Sequence, residues 1–232
     1  MPLHYKGFIF DFNGTLYLDA AYQKAAWGVI SSRLRGGRTL TEEEMVQHVN
    51  GWPGAAVFRY LLGRPLPQQE VWRLLGEKEA IYRELCQKDA ANFHLIAGAE
   101  GFLDVLKRKG VPMTIATGSE IVNVRFFMEQ FRLDRWFALE RIVYDDGQLP
   151  GKPNPEIYQR AAANLGLAPE ACVVAEDAPA GVAAARAAGI GRILAVAQGE
   201  AAGHMASLPG VDKVMADFTG LDADALFGPS AR

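Results

Sequence analysis

The sequence predicts an α/β protein: a doubly wound, mostly parallel sheet interrupted after its first strand by an inserted helical domain. Three observations carry this. The stretch Gly7-Phe8-Ile9-Phe10-Asp11 is an apolar run that stops at a carboxylate, as a central parallel strand covered on both faces does. From Leu16 to about Phe93 the pattern is helical only. From Gly98 onward short apolar strands alternate with helices, and that alternation implies crossover connections and a parallel sheet. The expected organisation is residues 1–16 and 97–232 as one α/β domain, with residues 17–96 as the helical insert.

Each element has its own signal. The first strand ends at the turn pair Asn13-Gly14. Residues 20–35 read as a helix broken by Gly36-Gly37, and Thr41-Glu42-Glu43-Glu44 as a capped, acidic helix start. Asn50-Gly51-Trp52-Pro53-Gly54 reads as a loop, residues 55–62 as a short helix and residues 63–67 as a break. A long helix over 68–88 places Val71, Leu74, Leu75, Tyr82 and Leu85 on one apolar stripe, where Lys78 also falls. In the second half, residues 102–109 read as a helix, 113–117 as a strand, 121–131 as a helix and 142–144 as a strand before the turn Asp145-Asp146-Gly147. Asn154-Pro155 is an N-cap followed by proline at the first helical position, opening a helix that stops at Gly166. A strand over 172–175, a helix over 181–188 and a strand over 193–196 follow, and residues 228–232 are expected to fray.

Composition narrows the function. Half of the 232 residues are hydrophobic, enough to bury a sizeable core. The formal charge is -3 and no basic cluster is interleaved with aromatics, so nucleic acid is not an expected partner. Cys86 and Cys172 are far apart and form no disulfide framework, which fits a reducing compartment. Residues 1–6 lead directly into the first strand, so no signal peptide is expected, and no apolar run reaches the ~18 residues a membrane span needs. A cytoplasmic location with no membrane partner and no obligatory protein partner is therefore expected. His4, His48, His94 and His204 are scattered without metal-ligand spacing, which argues against a zinc site.

The chemistry lies at strand ends. Asp11 falls at the carboxyl end of a strand, the edge where open α/β sheets bind ligands, although Asp, Asn and Gly there also make an ordinary turn. Thr117-Gly118-Ser119 precedes a helix whose free N–H groups and dipole favour an anion, while Ser119 by itself reads as an N-cap. Gly151-Lys152-Pro153 puts a lysine in a rigid loop. Glu176-Asp177 closes a strand with two carboxylates, and Asp177 also suits a helix cap. Each has an ordinary structural reading. Together, a carboxylate nucleophile, a hydroxyl and an amide for phosphate oxygens, a lysine for charge and a second carboxylate for a hard cation make a phosphoryl-transfer site.

The residues Asp11-Phe12-Asn13-Gly14-Thr15, Ala116-Thr117-Gly118, Gly151-Lys152-Pro153-Asn154-Pro155, and Glu176-Asp177 with Gly181, Ala184, Ala185 and Ala188-Gly189 behind them carry a resemblance. In order and spacing the chain resembles the haloacid dehalogenase superfamily, in its phosphatase and β-phosphoglucomutase-like branch with a helical cap. The resemblance implies a doubly wound, Rossmann-like core with an inserted helical cap domain. It also implies a Mg2+-dependent hydrolase of phosphate monoesters of small metabolites, with a phosphorylated small molecule as partner and Asp11 passing through an aspartyl-phosphate. Mg2+ would be held by the Asp11 side chain, the Asn13 backbone carbonyl and Asp177, with Glu176 behind them. Thr117 and the Gly118 amide would bind phosphate oxygens, and Lys152 would neutralise charge. An insert that leaves and re-enters beside a strand end can act as a lid; an independent helical module is the other reading.

Two departures from that pattern matter. Asn13 stands where most phosphatases of the family carry the aspartate that protonates the leaving group and later activates water. Such assistance is worth ~10²–10⁴ in rate, so slow turnover of poor leaving groups is expected. Gln23 stands where β-phosphoglucomutases carry a histidine, although Lys78-Glu79-Ala80-Ile81-Tyr82 resembles their cap segment. Lys78 either snorkels to solvent or holds a distal group of the substrate. Trp52 either selects substrate or packs on the next helix. A phosphomutase is thus the disfavoured alternative, beside a non-catalytic phosphate-binding or regulatory member of the family. A halide-cleaving hydrolase is disfavoured too, because that chemistry needs no cation and Glu176-Asp177 are kept.

Overall fold

The computed structural model describes residues 5–50 and 52–229. Expectations for residues 1–4, Gly51 and 230–232 lie outside the described residues. The chain divides into two compact units, residues 1–18 with 94–232, and residues 19–93. Residues 17–18 and 94–96, assigned to the insert on sequence, belong to the α/β unit: Ile96 N–H donates to the Leu16 carbonyl at 2.9 Å, and Tyr17 is fully buried against Phe127 and Phe131.

The α/β unit opens with β1 (Gly7–Phe10). The insert consists of α1 (Ala20–Leu34), α2 (Glu42–His48), α3 (Gly54–Leu62) and α4 (Gln68–Lys88). The α/β unit resumes with α5 (Ala99–Arg108), β2 (Met113–Glu120), α6 (Ile121–Gln130), β3 (Val143–Asp145) and α7 (Glu156–Asn164). It closes with β4 (Cys172–Glu176), α8 (Pro179–Ala187), β5 (Arg192–Val196), α9 (Glu200–Ser207), β6 (Lys213–Met215) and α10 (Ala223–Phe227).

Among the described residues six strands form one parallel sheet in the order β3-β2-β1-β4-β5-β6. β1 is apolar throughout because both of its faces are covered. Phe8 and Phe10 turn to an aromatic layer with Phe102 and Phe218, while Ile9 turns to the opposite layer with Tyr158, Ala161, Val182 and Ala185. Full burial of each of these three side chains contributes roughly 1.5–3 kcal/mol, which pins β1 at the centre of the sheet.

Several boundaries moved for local reasons. β2 runs to Glu120 rather than Thr117, because Ala116 and Glu120 both pair with β3 across an irregularity that contains Thr117, Gly118 and Ser119. Such bulges re-aim side chains. α5 begins at Ala99, directly after Gly98 in the left-handed conformation, and α8 begins at Pro179. Asn154 Oδ1 accepts from Glu156 N at 3.0 Å, but Asn154 is not the N-cap: the helix starts one residue later than expected, with Pro155 at the cap position and no side-chain cap bond. β6, α9 and α10 are short segments that periodicity did not reveal.

In the insert, α2 starts with a capping box: Glu44 N donates to Thr41 Oγ1 at 3.1 Å, and Thr41 N donates to Glu44 Oε2 at 2.8 Å. The Thr41 N–H, helped by the Tyr60 hydroxyl, holds the Glu44 carboxyl down at about 2. The stripe of α4 buries Val71, Leu74 and Tyr82 as expected, together with Ile81, Cys86 and Lys78, while Leu75 and Leu85 are half-buried. Among the described residues no helix is long and apolar enough to cross a membrane.

Candidate active site

The strand order reverses between β1 and β4, and open α/β sheets form a crevice at such a point, beyond the carboxyl ends of the strands. Asp11 follows β1 and Asp177 follows β4. The ladder extends to the first of these, since Asp11 N donates to the Ala175 carbonyl at 3.0 Å. Phe12 is driven into the core, stacked on Phe127 with ring centres 4.5 Å apart, so the alternate positions Asp11 and Asn13 turn the other way.

The turn at Gly14 brings the first and last motifs into contact. Gly14 has φ 84°, and a Cβ there would lie 2.0 Å from Asp177 Oδ2, so glycine is required by conformation and by space. Thr15 Oγ1 donates to Asp177 Oδ1 at 3.1 Å. Asp177 therefore does not cap α8. The cap position is Ala178, whose N–H is accepted by Glu176 Oε2 at 2.8 Å.

Lys152 Nζ lies 2.6 Å from Asp11 Oδ1 and 2.5 Å from Glu176 Oε1. Glu176 Oε1 also accepts from the Tyr158 hydroxyl at 3.1 Å, so both Glu176 oxygens are engaged and this carboxylate orients the lysine. A Cβ on Gly181 would sit 1.6 Å from Glu176 Oε1, so α8 can pack here only without a side chain at that position. Burial by itself would lower the Lys152 ammonium, but the carboxylates of Asp11 and Glu176 outweigh it and hold the group well above the ordinary lysine value. Burial raises the Asp11 carboxyl against the pull of Lys152. Asp177 is pushed up to about 7, first by burial and then by the Glu176 carboxylate.

These shifts describe a site with more negative charge than it can neutralise. Carboxylate oxygens of Asp11, Glu176 and Asp177 lie within 4.8 Å of one another, and Asp11 Oδ2 is buried with no hydrogen-bond partner among the described residues. An orphaned buried carboxylate oxygen beside a second acid is the donor set a hard cation such as Mg2+ takes, so the residues fit that ion.

On the β2 side, Thr117 is buried and its Oγ1 accepts from Ser119 N at 3.1 Å, while Gly118 between them is exposed. Ser119 is not the N-cap of α6; that position is Glu120, whose side chain does not cap the helix. The Ser119 hydroxyl donates instead to Asn13 Oδ1 at 2.8 Å, and Thr117 Oγ1 reaches the same oxygen at 3.4 Å. The α/β unit thus assembles Asp11, Asn13, Thr117, Lys152, Glu176 and Asp177, with Gly118 beside them. Thr15, Ser119 and Tyr158 are further members that had been given no role in the site. No local signal marked Tyr158, whose partner Glu176 lies 18 residues away at the end of β4.

Lys78 and Trp52 belong to the insert. Lys78 is 3% exposed, which overturns the snorkelling alternative. Its ammonium pairs with Glu79 Oε1 at 2.8 Å, donates to Gln23 Oε1, and lies over the rings of Trp27 and Tyr82. Gln23 Nε2 and the Tyr82 hydroxyl both donate to Asp19 Oδ2, at 3.1 and 2.7 Å. Trp52 is 52% exposed and, with Gln23, Trp27, Met45 and Val49, lines a cavity of about 540 Å³ within the insert.

Comparison with known proteins places the chain in a family. The model of the haloacid dehalogenase-like hydrolases matches residues 5–189. Hexitol phosphatase A of Escherichia coli is 30% identical over 191 residues, 79% of this chain and 80% of that one. A β-phosphoglucomutase of Mycobacterium bovis is 28% identical over 161 residues, 68% of this chain and 60% of that one. The crystal structure of a HAD hydrolase of family IA, variant 3, from Entamoeba histolytica superposes with a TM-score of 0.89 at 28% identity, covering 96% of this chain and 97% of that one. The chain therefore belongs to the haloacid dehalogenase-like hydrolases, in their phosphatase and phosphomutase branch.

Proposed function

We propose that the protein is a Mg2+-dependent phosphatase of phosphate monoesters of small polyhydroxylated metabolites, working through an aspartyl-phosphate on Asp11. The observation that carries this is the Asp11 carboxylate itself, which has one oxygen on Lys152 and the other buried without a partner among the described residues. An Asp11 oxygen attacks phosphorus, the bond from phosphorus to the ester oxygen breaks, and the electron pair leaves on that oxygen. Lys152 offsets charge between the nucleophile and the phosphoryl group, while the Thr117 hydroxyl and the Gly118 N–H support its outer oxygens. Mg2+, held by Asp11, Asp177 and the Asn13 carbonyl, would supply further charge neutralisation. Water then attacks phosphorus, the bond to Asp11 breaks, and inorganic phosphate leaves.

Asn13 can neither give nor take a proton in these steps, so turnover of poor leaving groups is slow. The likeness to a β-phosphoglucomutase supports a mutase as the second reading, and Asn13 and Gln23 weigh against it. Lys78 and Trp52 are assigned to substrate selection under the same proposal.

The test is beryllofluoride, a phosphoryl mimic. Binding that requires Mg2+ and disappears in Asp11→Asn is expected, as is loss of metal-dependent turnover of a phosphorylated metabolite panel in Asp177→Ala. Equal beryllofluoride binding by the parent and Asp11→Asn would reject Asp11 as the nucleophile.

A further inference from the structure

We infer that Thr15 is a positioning residue: its hydroxyl presets Asp177 as a cation ligand and so raises the affinity of the site for Mg2+. The role rests on the Mg2+ site proposed above, whose named ligands do not include Thr15. The turn that carries Thr15 is closed by its own backbone. The N–H groups of Thr15, Leu16 and Tyr17 converge on the Phe12 carbonyl at 3.3, 2.9 and 3.0 Å, and Gly14 N donates to the Tyr17 carbonyl at 2.7 Å. Phe12 and Leu16 anchor the turn in the core, and Thr15 itself is 0% exposed. A β-branched side chain in such a place has few rotamers open to it. Its hydroxyl donates to Asp177 Oδ1 at 3.1 Å, across 162 positions of sequence.

Asp177 lies beyond the last residue of β4, and its neighbour Glu176 takes the Ala178 N–H at the start of α8. Besides its own N–H, the Asp177 carboxylate meets the turn after β1 at two points. Thr15 holds Oδ1, and Gly14 lies so close that a Cβ there would be 2.0 Å from Oδ2 and 2.4 Å from Cγ. One hydrogen bond and one steric wall restrict the carboxylate to the orientation that brings an oxygen within 4.8 Å of those of Asp11 and Glu176. A ligand already in place loses little side-chain freedom when the cation arrives, and outer partners that orient ligands are worth roughly 10–100-fold in metal affinity. Thr15 has no exposed surface to offer a substrate, so its effect falls first on the cation.

Titration calorimetry of the metal-free protein with magnesium chloride tests this. In Thr15→Val, which keeps the branched shape and loses the hydroxyl, the Kd for Mg2+ is expected to rise roughly tenfold. The Mg2+ concentration for half-maximal turnover should rise with it, by a larger factor than any fall in kcat. Thr15→Ser, which returns the hydroxyl, should bind Mg2+ as the parent does. Thr15→Cys, whose thiol is a weaker donor, should fall between them, and it replaces Thr15→Val in the comparison if that variant does not fold. An unchanged Kd in the variants without the hydroxyl, even with a lower Tm in metal-free buffer, would overturn the inference and leave Thr15 a structural role. If the parent binds Mg2+ but turns over no phosphate ester, the phosphatase reading fails while the Kd series still decides the role of Thr15. A parent that binds no Mg2+ would overturn both.

Discussion

Lys152 Nζ lies 2.6 Å from Asp11 Oδ1 although 141 positions separate the two residues. This ion pair places the rigid loop before α7 over the end of β1, and it sets the first expectation. Lys152→Met would leave the buried carboxylates of Asp11 and Glu176 without their cation. Losing one partner of a buried pair costs roughly 3–5 kcal/mol, and losing a charge donor at a reacting centre costs ~10²–10³ in kcat. Urea unfolding and steady-state kinetics would measure both, and a variant that keeps parental kcat would refute the role.

The pH dependence follows from Asp177, whose carboxyl is raised to about 7 by burial and by Glu176. An unfolded aspartate titrates near ~4, so between those values the native state holds a proton that the unfolded chain has lost. This group's contribution to metal-free stability therefore falls as pH rises from about 4 through about 7. A cation bound to the ionised form reverses the trend. The increase in Tm on adding Mg2+ should be larger at about pH 8 than at about pH 5, and equal increases would count against Asp177 as a ligand.

Asn13→Asp should restore a proton donor. Turnover of alkyl phosphates is expected to rise by up to ~10²-fold, aryl phosphates should change little, and Mg2+ affinity should persist because the backbone carbonyl is unaltered. A series of leaving groups would show the dependence on their pKa flatten. No gain on any alkyl phosphate would mean that a water molecule or another residue already supplies the proton.

Tyr158→Phe removes the hydroxyl that donates to Glu176 Oε1 and leaves the ring beneath Lys152. A hydrogen bond to a buried charge is worth roughly 1.5–3 kcal/mol, so a drop in stability and a several-fold drop in kcat with little change in KM are expected. Parental values of both would show that Lys152 and the Ala178 N–H suffice to hold Glu176.

Trp52→Ala addresses the insert. Because this side chain is half exposed, its loss should alter the ranking of phosphorylated substrates by kcat/KM more than it lowers Tm. A variant that is only less stable, with the ranking intact, would assign Trp52 to packing on its own helices.

Much of the fold could be read from neighbouring residues. The apolar run of β1, the Asn13-Gly14 turn, the Thr41–Glu44 capping box and the limits of α4 all depend on interactions within a few positions, so local sequence determines them. The four motifs were legible for the same reason, each being a strand end or a rigid loop with polar residues at short spacing.

Tertiary structure decided what each polar atom is paired with. Ser119 read as a helix cap, yet its hydroxyl serves an asparagine 106 positions away, because pairing with β3 carries β2 past the point where its apolar run ends. Lys78 read either as a snorkelling side chain or as a holder of a distal substrate group, and in the fold Gln23, Glu79 and two aromatic rings enclose it. Tyr158 carried no local mark of its bond to Glu176, 18 residues away. Strands and turns form from contacts close in sequence, whereas a buried hydroxyl, amide or ammonium takes whatever partner the packed core brings within 3 Å or so, and only the folded chain specifies that partner.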